Sequence, residues 1–233
     1  MPRWLAYTSI VNDALTVPSL VEGYAAGCFP MADSRHGRVA WYEPRRRAVL
    51  PVSRFHVPRR LGKLIRSGRY RVTVGAAFDE VIACCAAPRR SDAEGEGGQN
   101  DVGETWINDE IRRAYGELHR EGLAVSVEAW LEEAQAEVAP AGPSGPAEPV
   151  RRDGWVLAGG VYAVTLARAV FAESMFARYR DASSVCLVRL MELCREAGVT
   201  LLDIQMDSEH LRRFGAEPIS QDAFMRKLRE ALR

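Results

Sequence analysis

A carboxylate lies inside an apolar run in the C-terminal half of the sequence. Glu173 stands between Val170 and Phe176, a segment that is otherwise largely apolar. A carboxylate in such a run must be paired, hydrogen-bonded or neutralised, because an unpartnered buried charge costs much free energy. Glu173 is therefore a candidate for chemistry. Periodicity alone favours the alternative, which is an outward-facing residue on an edge strand.

Two further polar residues, Asp203 and Gln205, interrupt an apolar stretch near the C-terminus. In a β-strand, alternation puts both of them on one face and Leu202, Ile204 and Met206 on the other. Side by side, the two polar groups could form one hydrogen-bonding unit. A solvent-exposed face is the alternative, but a strand that follows a helix is normally central in its sheet and covered on both sides.

An aromatic residue, Trp106, follows a long polar segment. It could cap a pocket or stack on a nucleobase, although a lone Trp more often belongs to a core. The histidines are too scattered for a metal site and are expected to be structural or exposed: His36, His56, His119 and His210. The sequence has no GxSxG, HExxH or P-loop motif, which disfavours a simple hydrolase or nucleotidase.

The charge is distributed unevenly along the chain. The totals are 31 basic and 31 acidic residues, but residues 1 to 71 hold 13 basic and 4 acidic residues. A basic first third joined to an acidic body is typical of a protein with a polyanionic partner. The alternative is a codon preference for arginine, since only two of the basic residues are lysines, with charges that merely solvate the surface.

The bulk composition is that of an ordinary globular protein. A chain of 233 residues with 47% hydrophobic content fits one large domain or two unequal ones. No apolar run reaches about 18 residues and the N-terminus lacks a signal-peptide layout, so the cytoplasm is the expected location. Five cysteines without CxxC spacing predict buried free thiols instead of a disulfide framework or a zinc site.

Apolar periodicity predicts a mixed order of helices and strands. Helices are predicted at 17–27, 61–65, 78–87, 108–121, 182–197, around 210 and at 221–232. Strands are predicted at 48–52, 70–74, 123–131, 155–166, 169–175 and 199–206. Polar and proline-rich composition predicts a mobile loop at 89–104 and an extended hairpin loop at 132–153. The resulting fold class is α+β with α/β-like character, comprising a body behind a small N-terminal domain.

Several motifs together resemble one known family, the leucyl/phenylalanyl-tRNA-protein transferases. The resemblance runs from residue 17 to residue 232, and the motifs occur in the family's order. They are Gly27-Cys28-Phe29-Pro30, Trp41 through Pro44, Arg47-Ala48-Val49-Leu50, Tyr70-Arg71-Val72-Thr73, Thr105-Trp106-Ile107, Glu173-Ser174-Met175-Phe176, Asp203 with Gln205, and Phe214-Gly215-Ala216. The number and order of these motifs make a chance match improbable.

The resemblance implies a fold, an activity and a set of site residues. It implies a small basic domain at 1–68 and a GNAT-like acyltransferase domain at 69–233 that carries the two long loops. The implied activity moves Leu, Phe or Met from aminoacyl-tRNA to the N-terminal amine of proteins that begin with Arg or Lys, which tags them for degradation. No cofactor is implied. The implied reaction centre consists of Glu173, Asp203 and Gln205.

The resemblance also implies how this centre would work. Asp203 would hold the Gln205 amide so that its carbonyl accepts a hydrogen bond from the attacking amine, and Glu173 would orient amine groups. Trp106 would stack on the terminal adenosine. Residues implied to contact the donor are Met31, Val161, Ala172, Met175, Leu187 and Met206. Basic residues expected to contact tRNA phosphates are Arg45, Arg46, Arg47, Arg59, Arg60 and Lys63.

This chain departs from the family pattern at four positions. Met31 replaces a Trp that stacks on the adenine, Ala172 replaces a Gly, Val161 replaces a Met and Ser184 replaces a Lys. Two other functions remain open. An acyltransferase that uses acyl-CoA would need an RxxGxG/A loop for the pyrophosphate, and the sequence has none. A non-catalytic tRNA-binding relative would fit the loss of the Trp but not the presence of the polar triad.

Overall fold

The computed structural model describes residues 4–7, 14–87, 105–137 and 148–233. The loop predicted at 89–104 lies outside these residues, as does the middle of the segment predicted as a hairpin loop. Within the described ranges, no helix is long and apolar enough to cross a membrane. All five cysteines are free thiols, and all but the half-buried Cys85 are buried, which confirms the expectation from their spacing.

A small antiparallel sheet is formed by the N-terminal part of the chain. Its strand order is β1-β3-β2, with β1 at Trp4–Tyr7, β2 at Phe29–Ala32 and β3 at Val39–Pro44. Helix α1 (Val17–Ala25) precedes β2 and begins at Thr16, whose side chain accepts a hydrogen bond from the Ser19 backbone N–H. Gly27, at a φ of 82°, provides the left-handed turn between α1 and β2.

A larger mixed sheet forms the body of the protein. Its main strands are β4 (Arg46–Val49), β5 (Arg71–Val74), β6 (Ala124–Glu132), β8 (Trp155–Leu166), β9 (Ala169–Ala177), β10 (Leu201–Gln205) and β11 (Glu217–Ser220). They lie in the order β11-β4-β10-β9-β8-β6-β5, and the two-residue strand β7 (Arg151–Arg152) pairs with β8. β10 is parallel to β9 and antiparallel to β4, so it lies between two neighbours, as expected for a buried strand.

Helices cover both faces of the large sheet. The remaining helices are α2 (Arg59–Arg66), α3 (Phe78–Cys85), α4 (Asp109–Arg120), α5 (Glu133–Ala136), α6 (Ala182–Glu196), α7 (Glu209–Arg212) and α8 (Gln221–Ala231). One apolar cluster joins α1, α3, α4 and α8 to sheet residues such as Phe171 and Leu201. A second cluster joins α2, α6 and α7 to Val161, Leu202 and Ile204. The expected mixed α and β architecture is confirmed.

Most predicted elements are present, and the exceptions involve proline or short length. The strand predicted at 48–52 is wrong at its end, because β4 stops at Val49 and is followed by Pro51 and a turn of 3-10 helix, Val52–Arg54. Pro51 lacks the backbone N–H that a strand would need. The segment predicted as loop at 132–153 contains α5 and β7 at its two ends.

The change from the small sheet to the large sheet occurs earlier than the expected domain boundary. β4 already pairs with β10 and β11 in the large sheet. Leu61 of α2 belongs to the same apolar cluster as Leu187 and Leu190 of α6. We therefore move the proposed boundary from residue 68 to Arg45, between β3 and β4.

A glycine in β8 allows a helix to approach the sheet closely. A Cβ atom at Gly159 would lie 2.9 Å from the Ser183 backbone nitrogen and 2.7 Å from the Ala182 Cβ. No larger residue fits without a shift of the α6 N-terminus. The close approach brings Ser183 and Leu187 over the sheet at the place where the candidate site lies.

Candidate active site

The candidate site lies where two parallel strands separate. Pairing between β9 and β10 runs from Ala169 and Leu201 to Phe171 and Asp203 and then stops. Beyond that point β9 stays paired with β8, whereas β10 stays paired with β4 through a register shift before Gln205. Side chains that follow Phe171 in β9 and Asp203 in β10 therefore line an opening between the strands.

The opening forms a cavity of about 480 Å³. It is lined by all seven residues that the sequence resemblance assigned to donor binding: Met31, Trp106, Val161, Ala172, Met175, Leu187 and Met206. Glu173 and Gln205 line it as well, but Asp203 does not. The structure thus brings together residues from β2, β8, β9, α6 and β10 that are far apart in sequence.

Glu173 is a buried carboxyl group with one bonded and one unbonded oxygen. Its Oε2 accepts a hydrogen bond of 3.4 Å from the Tyr115 hydroxyl, which is itself hydrogen-bonded to the Tyr24 hydroxyl. Burial raises the pKa of Glu173 to about 7, although donor groups of Tyr24 and Gln205 act in the opposite direction. Its Oε1 has no hydrogen-bond partner among the described residues. Near neutral pH the group is therefore a mixture of acid and carboxylate.

Asp203 is fully buried in an ion pair with Arg47. The Arg47 Nη2 atom lies 2.8 Å from Asp203 Oδ2, and Arg47 Nε donates to both carboxylate oxygens. Arg47 Nη1 donates to the Gly27 carbonyl, and the guanidinium carbon lies 5.0 Å from the Phe29 ring centroid and 4.3 Å from the Phe224 ring centroid. Arg47 is 0% exposed, so it cannot reach a tRNA phosphate. The expectation that Arg47 contacts tRNA is therefore wrong.

Asp203 acts on Gln205 through the backbone and not through the side-chain amide. Its Oδ1 accepts a hydrogen bond of 2.9 Å from the Gln205 backbone N–H. Gln205 has a φ of 58°, in the left-handed region that is strained for a non-glycine residue. The expected contact between Asp203 and the Gln205 amide is therefore wrong. Asp203 instead stabilises the bulge that turns Gln205 toward the cavity.

The Gln205 side chain faces Glu173 across the cavity wall. Its amide is close enough to favour the charged form of the Glu173 carboxyl, yet Nε2 makes no hydrogen bond of standard geometry within the described ranges. A buried donor and a buried acceptor are thus both left incompletely bonded at one place. Buried polar groups are normally satisfied, so this pair is suited to a ligand that completes its hydrogen bonds.

Family models match both parts of this chain. Residues 49–137 and 150–229 match the model described as leucyl/phenylalanyl-tRNA protein transferase, and residues 13–45 match the model of that family's N-terminal domain. The chain belongs to this transferase family. The residues that line the cavity, including Glu173 and Gln205, all lie within the matched ranges. The family resemblance inferred from the motifs is therefore confirmed over most of the chain.

Curated relatives agree with this assignment over nearly the full length. A leucyl/phenylalanyl-tRNA--protein transferase of Caulobacter vibrioides (strain NA1000 / CB15N) is 43% identical over 223 residues, which is 95% of this chain and 88% of the relative. One from Rubrobacter xylanophilus is 44% identical over 219 residues, 94% of this chain and 96% of the relative. Both similarities extend across the small sheet and the large sheet.

One solved structure, FemX, shares a more distant similarity. It has a TM-score of 0.46 and 13% identity, and the match covers 88% of this chain and 66% of FemX. At that score the likeness carries no argument about function.

Sequence reasoning missed the tyrosines and the polar end of the transferase cavity. Tyr24 and Tyr115, both fully buried, occupy apolar helix positions that are indistinguishable in sequence from core. His210 is exposed, as expected from the sequence, and it also lines the cavity beside Ser183 and Ser208. Partial burial and the neighbouring Arg213 lower the pKa of His210.

The basic residues expected to contact tRNA phosphates lie in three environments. Arg47 is buried, whereas Arg45 and Arg46 are exposed and line a second cavity. The third group is on α2, where the exposed side chains are Arg59, Arg60, Lys63 and Arg66. Arg66 was not among the expected phosphate contacts. Arg66 follows Lys63 by three residues, which places both on the same helix surface. This spacing is the sequence signal that groups Arg66 with the other basic residues of α2.

Proposed function

We propose that this transferase moves a leucyl, phenylalanyl or methionyl group from aminoacyl-tRNA to the N-terminal amine of proteins that begin with Arg or Lys, tagging them for degradation. The observation that carries the proposal is the combination of an apolar cavity with one incompletely bonded pair, Glu173 and Gln205, at its wall. The cavity matches an apolar side chain. Of the two unpartnered atoms, Glu173 Oε1 can accept a hydrogen bond from the amine, and Gln205 Nε2 can donate one to the ester carbonyl.

The donor is proposed to occupy the 480 Å³ cavity with its side chain among apolar residues. Val161, Met175 and Leu187 come from β8, β9 and α6 and present only aliphatic and thioether surface. Trp106 and Met31 supply surfaces for the terminal adenosine, with the thioether taking the place of a second aromatic ring. A pocket of this kind separates donors by graded size differences, because one methylene is worth only about 1–3 kcal/mol.

The proposed reaction joins the acceptor nitrogen to the ester carbonyl carbon. The new C–N bond forms as the ester C–O bond to the ribose breaks, and the proton lost by the amine ends on the released ribose hydroxyl. An aminoacyl ester is already activated, and an amine with a pKa of about 7.7–8.0 is partly neutral at physiological pH. Orientation therefore supplies most of the rate. Gln205 Oε1 and Glu173 Oε1 are the acceptors proposed to orient the amine.

The test of this function is turnover of aminoacyl-tRNA with a peptide that begins with Arg. We expect product from Leu-, Phe- and Met-tRNA, weak product from Ile- and Val-tRNA, and none when the peptide is N-acetylated. Acetyl-CoA, offered without tRNA, should yield no acetylated peptide. Binding of charged tRNA without turnover would support the non-catalytic alternative, and equal use of Ile and Val would contradict the proposed pocket.

Helix α2 is the proposed contact for tRNA phosphates. Its four exposed basic residues make no ion pair among the residues that the structure describes. Each phosphate contact gives a slope of about −0.7 to −0.9 in a log-log plot of affinity against salt. Replacing Arg59, Arg60 and Lys63 with Ala should therefore flatten the slope and weaken all charged tRNAs alike.

A charge-matched control for this experiment is available on α8. Arg226, Lys227 and Arg229 are exposed, and they also comprise two arginines and one lysine. Replacing these three with Ala should leave the salt slope unchanged. If both triple variants flatten it equally, overall charge and not α2 determines tRNA affinity, and the arginine content is better explained by codon preference.

A further inference from the structure

A second cavity, of about 500 Å³, adjoins the first at the reaction centre. Both cavities are lined by Gln205, Met206 and Asp207. The remaining wall of the second cavity comes from the junction of β3 and β4, from α7 and from β11, and consists of residues 44–48, Arg212 and Pro218. We call this cavity the β4 groove. It therefore reaches the same residue, Gln205, from a different set of surrounding residues.

The β4 groove has an excess of positive charge. Arg45 and Arg46 are exposed, and neither makes an ion pair within the described part of the chain. The two other arginines of the groove are neutralised, because Arg47 is bonded to Asp203 and Arg212 to Asp207. The guanidinium groups of Arg45 and Arg46 are therefore available to bind an anionic ligand in this groove.

A transferase with two large substrates needs two separate openings, one for each substrate, that lead to the place where the acceptor nitrogen meets the ester carbonyl carbon. Under the proposed function, the aminoacyl-adenosine end of the donor occupies the first cavity, so the acceptor chain must reach Gln205 by another path. The β4 groove is such a path, since it shares Gln205 with the first cavity. Successive acceptor residues extend by about 3.3–3.6 Å each, so the second and third residues lie along the groove when the first is at Gln205.

We propose that the β4 groove binds the second and third residues of the acceptor, and that Arg45 and Arg46 favour acceptors with Asp or Glu at these positions. The inference rests on the proposed function and adds a specificity to it. Guanidinium groups bind carboxylates in bidentate geometry and repel further cations. The groove thereby selects acceptors by the charge that follows their N-terminal residue.

Phosphates of the tRNA 3′ strand fit the β4 groove less well than the acceptor does. Trp106 and Met31, the proposed surfaces for the terminal adenosine, line the first cavity but not the groove. The nucleotides that precede the adenosine would therefore leave from the Trp106 end of the cavity. For this reason we reassign Arg45 and Arg46 from the tRNA to the acceptor.

The test uses a donor without phosphates and acceptors that differ only in charge. The donor is phenylalanyl-adenosine ester, and the peptides begin Arg-Asp-Glu, Arg-Ala-Ala or Arg-Lys-Arg. We expect the acceptor KM to be lowest for the acidic peptide and highest for the basic one, with about 3- to 30-fold between neighbours in the series. The double variant R45E/R46E should reverse this order.

A matched variant on α8, R226E/R229E, changes charge by the same amount away from the groove and should keep the wild-type order. Equal acceptor KM values for the three peptides with wild-type protein would overturn the proposal. So would R45E/R46E raising the KM for Leu-tRNA while leaving acceptor preference unchanged, which would return both arginines to the tRNA. Absence of product from either donor would instead overturn the proposed function, and the groove assignment with it.

Discussion

Two buried polar pairs lie side by side at the end of β10, and they differ in how completely they are hydrogen-bonded. In the first pair, each guanidinium nitrogen of Arg47 donates, either to Asp203 or to the Gly27 carbonyl. In the second pair, Glu173 Oε1 and Gln205 Nε2 are buried without a partner among the described residues. The first pair is closed to any ligand. The second retains bonding capacity at the wall of a cavity.

The comparison teaches that burial alone does not identify function. A buried donor or acceptor without a hydrogen bond costs about 1–3 kcal/mol of stability. A structural pair avoids this cost, whereas a substrate-binding pair recovers it when the ligand binds. The Arg47–Asp203 pair stabilises the backbone bulge at Gln205. Glu173 and Gln205 both line the cavity, and their unpartnered atoms are buried beside it. The two pairs therefore predict different consequences of mutation.

Asp203→Ala should have the largest effect on stability. The substitution leaves the Arg47 guanidinium buried and uncompensated, which costs about 3–5 kcal/mol of unfolding free energy. Turnover should fall as well, because the Gln205 bulge loses its support. Urea denaturation measures the loss. The control is Arg54→Ala, which breaks the exposed Arg54–Glu217 pair and should cost at most about 1 kcal/mol; a similar loss in both variants would contradict the assignment.

Glu173→Gln should severely lower activity without destabilising the fold. Turnover should fall by about 10²- to 10⁴-fold, because the Gln amide keeps an accepting oxygen but has neither the negative charge nor the basicity to take a proton from the reacting amine. Because burial raises the pKa from 4.5 to about 7, the folded protein holds a proton that the unfolded chain has released between these values. The wild-type unfolding free energy should therefore fall as pH rises from about 4.5 to about 7.

The Gln variant should lack this pH-dependent fall, because it has no proton to release at this position. Denaturation of both proteins at pH 5 and pH 8 provides the comparison. The variant should match the wild type or exceed its stability at pH 8. If Glu173→Gln destabilised the protein as strongly as Asp203→Ala, the two pairs would be equivalent and the distinction drawn here would fail.

Sequence patterns predicted the strands of the site but not the roles of its charges. Glu173, Asp203 and Gln205 interrupt apolar runs, which made their strands recognisable as candidates. Arg47 was grouped with surface arginines because it ends a run of three. Its ion-pair partner, Asp203, is 156 residues away in the sequence, and a local sequence pattern cannot predict a pairing at that distance. Only the packing of β4 between β10 and β11 makes the position internal.

Other misses have a similar physical origin. β2 and β11 are four-residue strands that contain Pro30 and Pro218, and proline removes a ladder donor and weakens the strand pattern. The tyrosines behind Glu173 show apolar periodicity typical of core helices. Their hydroxyl groups come close to Glu173 only because α1 and α4 pack against β9. The Tyr24 and Phe171 rings, whose centroids are 4.7 Å apart, form part of this packing.

Tyr115→Phe should have the smallest effect and test how the Glu173 carboxyl is tuned. The variant removes the O–H that donates to Glu173 Oε2 at 3.4 Å. The Tyr24 and Tyr115 hydroxyls form one hydrogen-bonded unit beside this carboxyl group. A donor favours the charged carboxylate, so loss of the Tyr115 hydroxyl should raise the Glu173 pKa further. A hydrogen bond worth about 0.5–1.5 kcal/mol corresponds to an upward shift of about half to one pH unit in the midpoint of turnover. Turnover on the high-pH plateau should change little.

The matched control for this change is Tyr162→Phe. Tyr162 is also fully buried, and its ring contacts Tyr115 at 5.6 Å, but its hydroxyl has no hydrogen-bond partner among the described residues. Its removal deletes one oxygen from the same packed cluster without removing a donor from Glu173. The pH midpoint should therefore stay at the wild-type value. An equal shift in both variants would show that repacking of α4, and not the Tyr115 hydrogen bond, sets the ionisation of Glu173.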